Sequence, residues 1–150
     1  MLLRSVQRVS GLFAAQFTRA SYAQKYTSLR YSTDSSNVVQ LTFEWLCNGV
    51  RKTVPANVGD TLLDVVLENE LDIDGFGACG GELACSTCHL ILSDDVYNNL
   101  PNPPSEEELD LLDIAPIVTD TSRLGCQVVV SDEMDGAVIK VPEFVVDTRA

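Results

Sequence analysis

From Val39 to Trp45 the odd positions are apolar (Val39, Leu41, Phe43, Trp45) and the even ones polar (Gln40, Thr42, Glu44), the period-two pattern of a half-buried strand. Asn48-Gly49 tolerates positive φ and is followed by Val50 to Val54, so the two segments read as a hairpin. Thr61 and Asp64 have capping-box spacing, and Leu62, Val65, Val66 and Asn69 continue at helical intervals, which predicts a helix of about ten residues. Gly75, Gly77, Gly80 and Gly81 mark an irregular loop before the short strand His89-Leu90-Ile91-Leu92. Leu100-Pro101-Asn102-Pro103-Pro104 excludes regular structure, because proline has no amide donor and restricts the residue before it. Ser105 and Glu108 form a second capping box, Glu106 and Glu107 put negative charge at the positive end of that helix, and Pro116 ends it. Cys126 to Val130 and Ala137 to Val141, around Asp135-Gly136, read as two more strands. Without a repeated strand–helix–strand alternation, the fold class is α+β: a small mixed sheet packed on one main helix.

The 150 residues are 45% apolar and 21% charged, the composition of one globular domain, and no run approaches the roughly 18 apolar residues of a membrane span. The net charge of −12 is unevenly placed. Residues 1–33 hold Arg4, Arg8, Arg19, Lys25 and Arg30 with no acid; the rest of the chain holds the other five basic residues and all 22 acids, a balance of −17. An acidic body repels phosphate backbones, so nucleic acid is excluded as a partner. The basic segment is rich in hydroxyls, and Leu2, Val6, Val9 and Phe13 recur at helical spacing with Arg4 and Arg8 on another face. That is the composition of a mitochondrial transit peptide over 1–33, with maturation near Arg30-Tyr31-Ser32 and delivery to the mitochondrial matrix.

Five cysteines is an odd number, which argues against a closed disulfide framework. Cys79-x5-Cys85-x2-Cys88 lies in the glycine-rich loop, and Cys126 follows after 37 residues. Four thiolates suit a [2Fe-2S] cluster, two on each tetrahedral iron, and a loop of glycines lets backbone amides face a centre of charge −2 that falls to −3 on reduction. Zinc also accepts four cysteines, yet structural zinc sites usually show two tight pairs, and here only Cys85-x2-Cys88 is tight. Cys85-Ser86-Thr87-Cys88-His89 matches the covalent-haem pattern but leaves Cys79 and Cys126 unused, and a thioredoxin-like dithiol would need a strand–helix–strand context.

Residues 38–148 resemble the mitochondrial ferredoxins of the adrenodoxin type. The resemblance is carried by Leu71 to Cys79 (LDIDGFGAC), Leu83 to His89 (LACSTCH) and Ser122 to Gln127 (SRLGCQ), in that order. It implies a β-grasp ferredoxin-type mixed sheet with one main helix and a short acidic helix, and one-electron transfer rather than enzymatic turnover. It also implies a [2Fe-2S] cluster with Cys79 and Cys85 on one iron and Cys88 and Cys126 on the other. His89, the lone histidine, becomes a residue behind the ligands that links the cluster loop to the partner-binding region. With one histidine, no nucleophilic device that needs a second is available. Cys47 matches no cluster position and reads as a bystander thiol.

Glu106, Asp110 and Asp113 recur at i, i+4 and i+7 and share one helix face, opposite much of Leu109, Leu112 and Ile114. In the family that resembles this chain the helix docks on basic patches of a ferredoxin reductase and of electron acceptors, and Asp110 and Asp113 match its key acidic positions. Two branches exist: one serves the iron–sulfur cluster assembly complex, the other mitochondrial cytochromes P450. Leu100-Pro101-x-Pro103, Asp113-Ile114-Ala115-Pro116 and the terminus from Val141 to Arg149 look more like the assembly branch, and Leu71 to Gly77 more like the P450 branch. The preferred acceptor is the assembly complex. A different-class alternative is a zinc- or cluster-bearing structural module that carries no electrons.

Overall fold

A computed structural model describes residues 37–143. The transit-peptide assignment (1–33) and the terminal residues after 143 lie outside the described residues. Strand β1 (Val38–Trp45) pairs antiparallel with β2 (Arg51–Asn57), Leu41 opposite Val54 and Val39 opposite Ala56. The alternation in β1 holds: Val39, Leu41 and Phe43 are buried while Val38 and Gln40 are exposed. Helix α1 (Leu62–Glu68) opens with the full capping box, in which the Asp64 amide donates to Thr61 Oγ1 and the Thr61 amide to Asp64 Oδ2, each at 3.1 Å. It is seven residues long, shorter than expected, because Asn69 Nδ2 donates to the Val65 carbonyl at 2.9 Å and to Pro55 O at 3.1 Å, and Glu70 then turns left-handed at φ +47°.

Strand β3 (His89–Ile91) precedes α2 (Asp94–Asn99), the acidic helix α3 (Glu106–Asp113), β4 (Ser122–Leu124), a 3-10 turn at Asp132–Met134 and β5 (Val138–Val141). The described strands form one mixed sheet in the order β2-β1-β5-β3-β4, with β5 parallel to β1 and the other pairs antiparallel. The main core lies between that sheet and α1, where Leu41, Phe43, Leu62, Val65, Val66, Leu90 and Ile139 are almost fully buried. Each removes enough apolar surface from water to contribute about 1.5–3 kcal/mol.

Two expectations are corrected, and one helix carries no sequence signal. The run from Cys126 to Val130 is not a strand of the sheet: its backbone pairs with the entry to α1, Leu62 N donating to Val128 O, Gly59 N to Val130 O, and Val130 N to Asp60 O at 2.8–2.9 Å. Cys126 is therefore carried by the turn after β4. Helix α2 went unread because Val96 is its sole buried residue, which leaves no apolar period to detect, and Ser93 makes no side-chain cap.

The second correction concerns Glu108. Ser105 Oγ does accept the Glu108 amide at 3.2 Å, but the Glu108 carboxylate turns inward instead of back to Ser105. It accepts Arg123 Nε at 2.8 Å, Arg123 Nη2 at 3.0 Å and the Leu124 amide at 2.8 Å, with both side chains almost wholly buried. Arg123 Nη1 also donates to Asn102 O at 3.0 Å, so one guanidinium ties the proline-rich loop, α3 and β4 together. This fixes the rotation of α3: Glu108 and Leu112 face inward, while Leu109 and Ile114 are about half exposed.

Glu108→Ala should destabilise the fold by about 3–5 kcal/mol, because it leaves the Arg123 guanidinium buried without its partner. Replacing both residues by apolar ones of similar volume should cost far less. Urea unfolding of the three proteins checks this, and equal losses in the single and double variants would contradict it.

Candidate metal centre

The loop between α1 and β3 winds through residues 72–88 with few backbone pairs of its own, and it is seated by contact with α1. Gly77 sits at φ +68° directly over Leu63, where an added Cβ would overlap the leucine side chain. Gly125 closes the other side. Its amide donates to Cys88 O at 2.8 Å and its carbonyl accepts Leu63 N at 3.1 Å, and a Cβ there would lie 3.1 Å from Cys88 O. A second apolar cluster, Leu63, Cys88, Leu112 and Leu124 with Phe76, Leu83, Leu111 and Cys126 against it, seals the floor. It joins the main helix, the cysteine loop, the acidic helix and β4.

Cys88 Sγ donates to Cys126 Sγ at 3.5 Å, and Thr87 draws together the parts of the loop that carry Cys79 and Cys85, its Oγ1 2.9 Å from the Ala78 amide and 3.0 Å from Cys85 Sγ. Two thiolates on one tetrahedral metal with bonds of about 2.3 Å stand roughly 3.8 Å apart, so the Cys88–Cys126 pair is already near chelating distance. Among the described residues no three His, Cys, Asp or Glu side chains converge as one ion requires. The donors available are thiols, the chemistry that a sulfur-ligated metal centre requires. All four are free thiols; Cys85 and Cys88 are buried, Cys79 and Cys126 partly so.

The electrostatics favour thiolate at Cys79 and Cys126. Burial pushes the Cys79 thiol up, yet the amides of Ala84, Gly81 and Glu82, with the hydrogen bond from Cys85, more than reverse it and hold it below the ordinary thiol range. Cys126 is pushed down to about 6, chiefly by the proton Cys88 donates to it and, against burial, by Gln127. Gln127 Nε2 lies 3.3 Å from Cys126 Sγ. Cys88, as donor and buried, is driven up.

Thr87 and Gln127 are the residues that sequence reasoning passed over. Thr87 Oγ1 accepts the Ala78 amide at 2.9 Å and lies 3.0 Å from Cys85 Sγ, so its single proton is free for the sulfur. One hydroxyl spans both ends of the loop. The position of Thr87 inside Cys85-x2-Cys88 was a usable signal, and so was that of Gln127, directly after Cys126 in the block Ser122 to Gln127.

His89 is buried on β3, with Nε2 2.8 Å from Ser122 Oγ, which in turn accepts the Thr119 amide at 2.9 Å. That chain runs from the residue after Cys88 to the segment following α3. Burial lowers the imidazole pKa to about 4, against a weaker pull from the Pro116 carbonyl that falls short of a formed hydrogen bond at Nδ1. The ring is neutral. Glu106, Asp110 and Asp113 are exposed on α3, and Cys47 is exposed in the β1–β2 connection. No helix among the described residues is long and apolar enough to cross a membrane.

Residues 46–131 match the model of the 2Fe-2S iron-sulfur cluster binding domain family. The chain is 46% identical over 132 residues to the mitochondrial adrenodoxin-like protein 2 of Drosophila melanogaster, covering 88% of this chain and 86% of that one. Its structure is similar to a ferredoxin from Rhodopseudomonas palustris HaA2, with TM-score 0.66, 33% identity and coverage of 71% and 99%. It is also similar to a chain of a covalent putidaredoxin reductase–putidaredoxin complex, with TM-score 0.61, 28% identity and coverage of 70% and 99%.

Thr87→Val should cost about 1–3 kcal/mol of stability, since it strands the Ala78 amide and removes the hydroxyl beside Cys85. Urea unfolding of the metal-free protein measures it. An unchanged midpoint would show that the loop does not depend on this hydroxyl.

Proposed function

The chain belongs to the [2Fe-2S] ferredoxins of the mitochondrial adrenodoxin type, electron carriers and not enzymes, and on that footing we propose that Cys79 and Cys85 hold one iron and Cys88 and Cys126 the other. The carrying observation is the arrangement of four free thiols under inward amides, floored by apolar side chains. When bound, the cluster supplies reversible one-electron transfer, which sets aside the zinc, haem and structural-module alternatives. The protein's part is to hold thiolate at Cys79 and Cys126, to donate from Thr87 and Gln127, and to keep water from the floor. Amide and hydroxyl donors favour the more negative reduced state and so set the potential.

In this reading the carrier works in the mitochondrial matrix after loss of residues 1–33, takes electrons from an NADPH-dependent ferredoxin reductase, and passes them to the iron–sulfur cluster assembly complex. The exposed carboxylates Glu106, Asp110 and Asp113 on a body of strong negative charge steer it to basic partners. His89 stiffens the path from the ligand loop to that surface. Support for the assembly complex comes from the likeness of Leu100-Pro101-x-Pro103, Asp113-Ile114-Ala115-Pro116 and the terminus from Val141 to Arg149 to that branch. The Leu71 to Gly77 segment supports the other acceptor, a mitochondrial P450.

Serine at any one of Cys79, Cys85, Cys88 or Cys126 should abolish or severely weaken the brown colour, whereas Cys47→Ser should leave it intact; a colourless Cys47 variant would refute the ligand set. Asp110→Asn with Asp113→Asn should slow reduction by the reductase about tenfold or more at low salt, with the visible spectrum unchanged, and the difference should shrink as salt is added. Equal rates at low salt would remove α3 from the docking surface. Depletion in cells should lower the activity of matrix iron–sulfur enzymes; loss confined to a mitochondrial P450 would reassign the acceptor.

A further inference from the structure

Three non-glycine residues among those described have positive φ: Glu70, Leu83 and Ile117. Two have work inside the fold. Glu70 closes α1, its amide donating to Leu67 O at 3.2 Å, and Leu83 packs against the apolar floor of the cysteine loop. Ile117 stands apart. At φ +57° its backbone is left-handed, a conformation in which a β-branched side chain crowds its own main chain, and only glycine, asparagine and aspartate adopt it readily. Its side chain belongs to neither core cluster and is 46% exposed. Ile114 and Val118, within three residues of it, are 55% and 45% exposed and likewise pack against neither core.

Strain of this kind persists only where the surroundings impose it, and it concentrates at functional surfaces. Here it presents an apolar side chain just past the C-terminal end of α3, a few residues beyond Asp110 and Asp113, on the segment whose Thr119 amide is held by Ser122. We propose that Ile117, flanked by Ile114 and Val118, is an apolar docking contact for the ferredoxin reductase, entering an apolar recess whose basic rim meets the α3 carboxylates. This deepens the docking role given to α3 and rests on it. Interfaces place apolar anchors at the centre and charge at the rim, where charge sets encounter and the anchor sets residence. A second copy of this chain is disfavoured as the occupant, because pairing would bring the acidic faces of two strongly negative bodies together.

The test uses the cluster-loaded protein with Ile117→Gly, Ile117→Asn and Ile117→Leu. Glycine and asparagine accept the left-handed backbone and remove the apolar contact; leucine keeps the contact. The Gly and Asn variants should be no less stable to urea than the parent, with unchanged visible spectra, yet be reduced by the reductase with NADPH about tenfold more slowly at low and high salt alike, whereas the Leu variant keeps the parental rate. Parental rates in the Gly and Asn variants would overturn the proposal, and so would a loss of stability, which would place the side chain's role inside the fold, or a change in oligomeric state. The two readings fail separately. If the doubly amidated Asp110/Asp113 protein is slowed at low salt while Ile117→Asn is not, only the apolar contact falls; if the amidated protein keeps its rate, the docking role of α3 falls.

Discussion

The rotation of the acidic helix and the placement of Cys126 depend on one buried ion pair. Glu108 and Arg123 meet by two hydrogen bonds in a site where both side chains are almost completely covered, and the same carboxylate accepts the Leu124 amide. Two residues beyond Leu124 is Cys126. The pair thus couples the rotation of the acidic helix to the turn that delivers the fourth thiol. Its role as a positional lock follows from the asymmetry of buried charge: either partner alone is strongly unfavourable, so α3 cannot turn or slide without a large cost. Asp110 and Asp113 face outward because Glu108 faces in.

Around the thiols the chain solves a different electrostatic problem, that of gathering negative charge in a place partly removed from water. Amides of Gly81, Glu82 and Ala84 serve Cys79, Thr87 serves Cys85, and Gln127 serves Cys126. Close packing holds the loop that carries them, because Gly77 lies directly on Leu63 and Gly125 on Cys88. The apolar residues beneath, Leu63, Leu112 and Leu124, exclude water and come from α1, α3 and β4, so the cysteine loop and the acidic helix share one foundation.

Much of this was legible in the sequence where a period or a spacing carries the information. The alternation in β1, the Thr61–Asp64 cap, the α+β class and the cysteine spacing all follow from local rules, and the structure realises the strand, the cap and the mixed sheet. What escaped was decided by distant partners. Glu108 reads as the third residue of a capping box because nothing local points to Arg123, fifteen positions away. The backbone of Cys126 to Val130 has the residues of a strand, yet the start of α1 takes its hydrogen bonds. Thr87 could have been suspected from its place between two cysteines; the left-handed Ile117 could not, since its composition argues against the conformation it adopts.

The account stands on the claim that four thiolates hold a two-iron centre able to take up one electron. Anaerobic reductive titration of the purified protein, with iron, sulfide and zinc counted on the same sample, tests this most directly. The account predicts two irons and two sulfides per chain, absorption that bleaches after one electron and returns on reoxidation. A colourless protein that retains zinc and takes up no electron would contradict it.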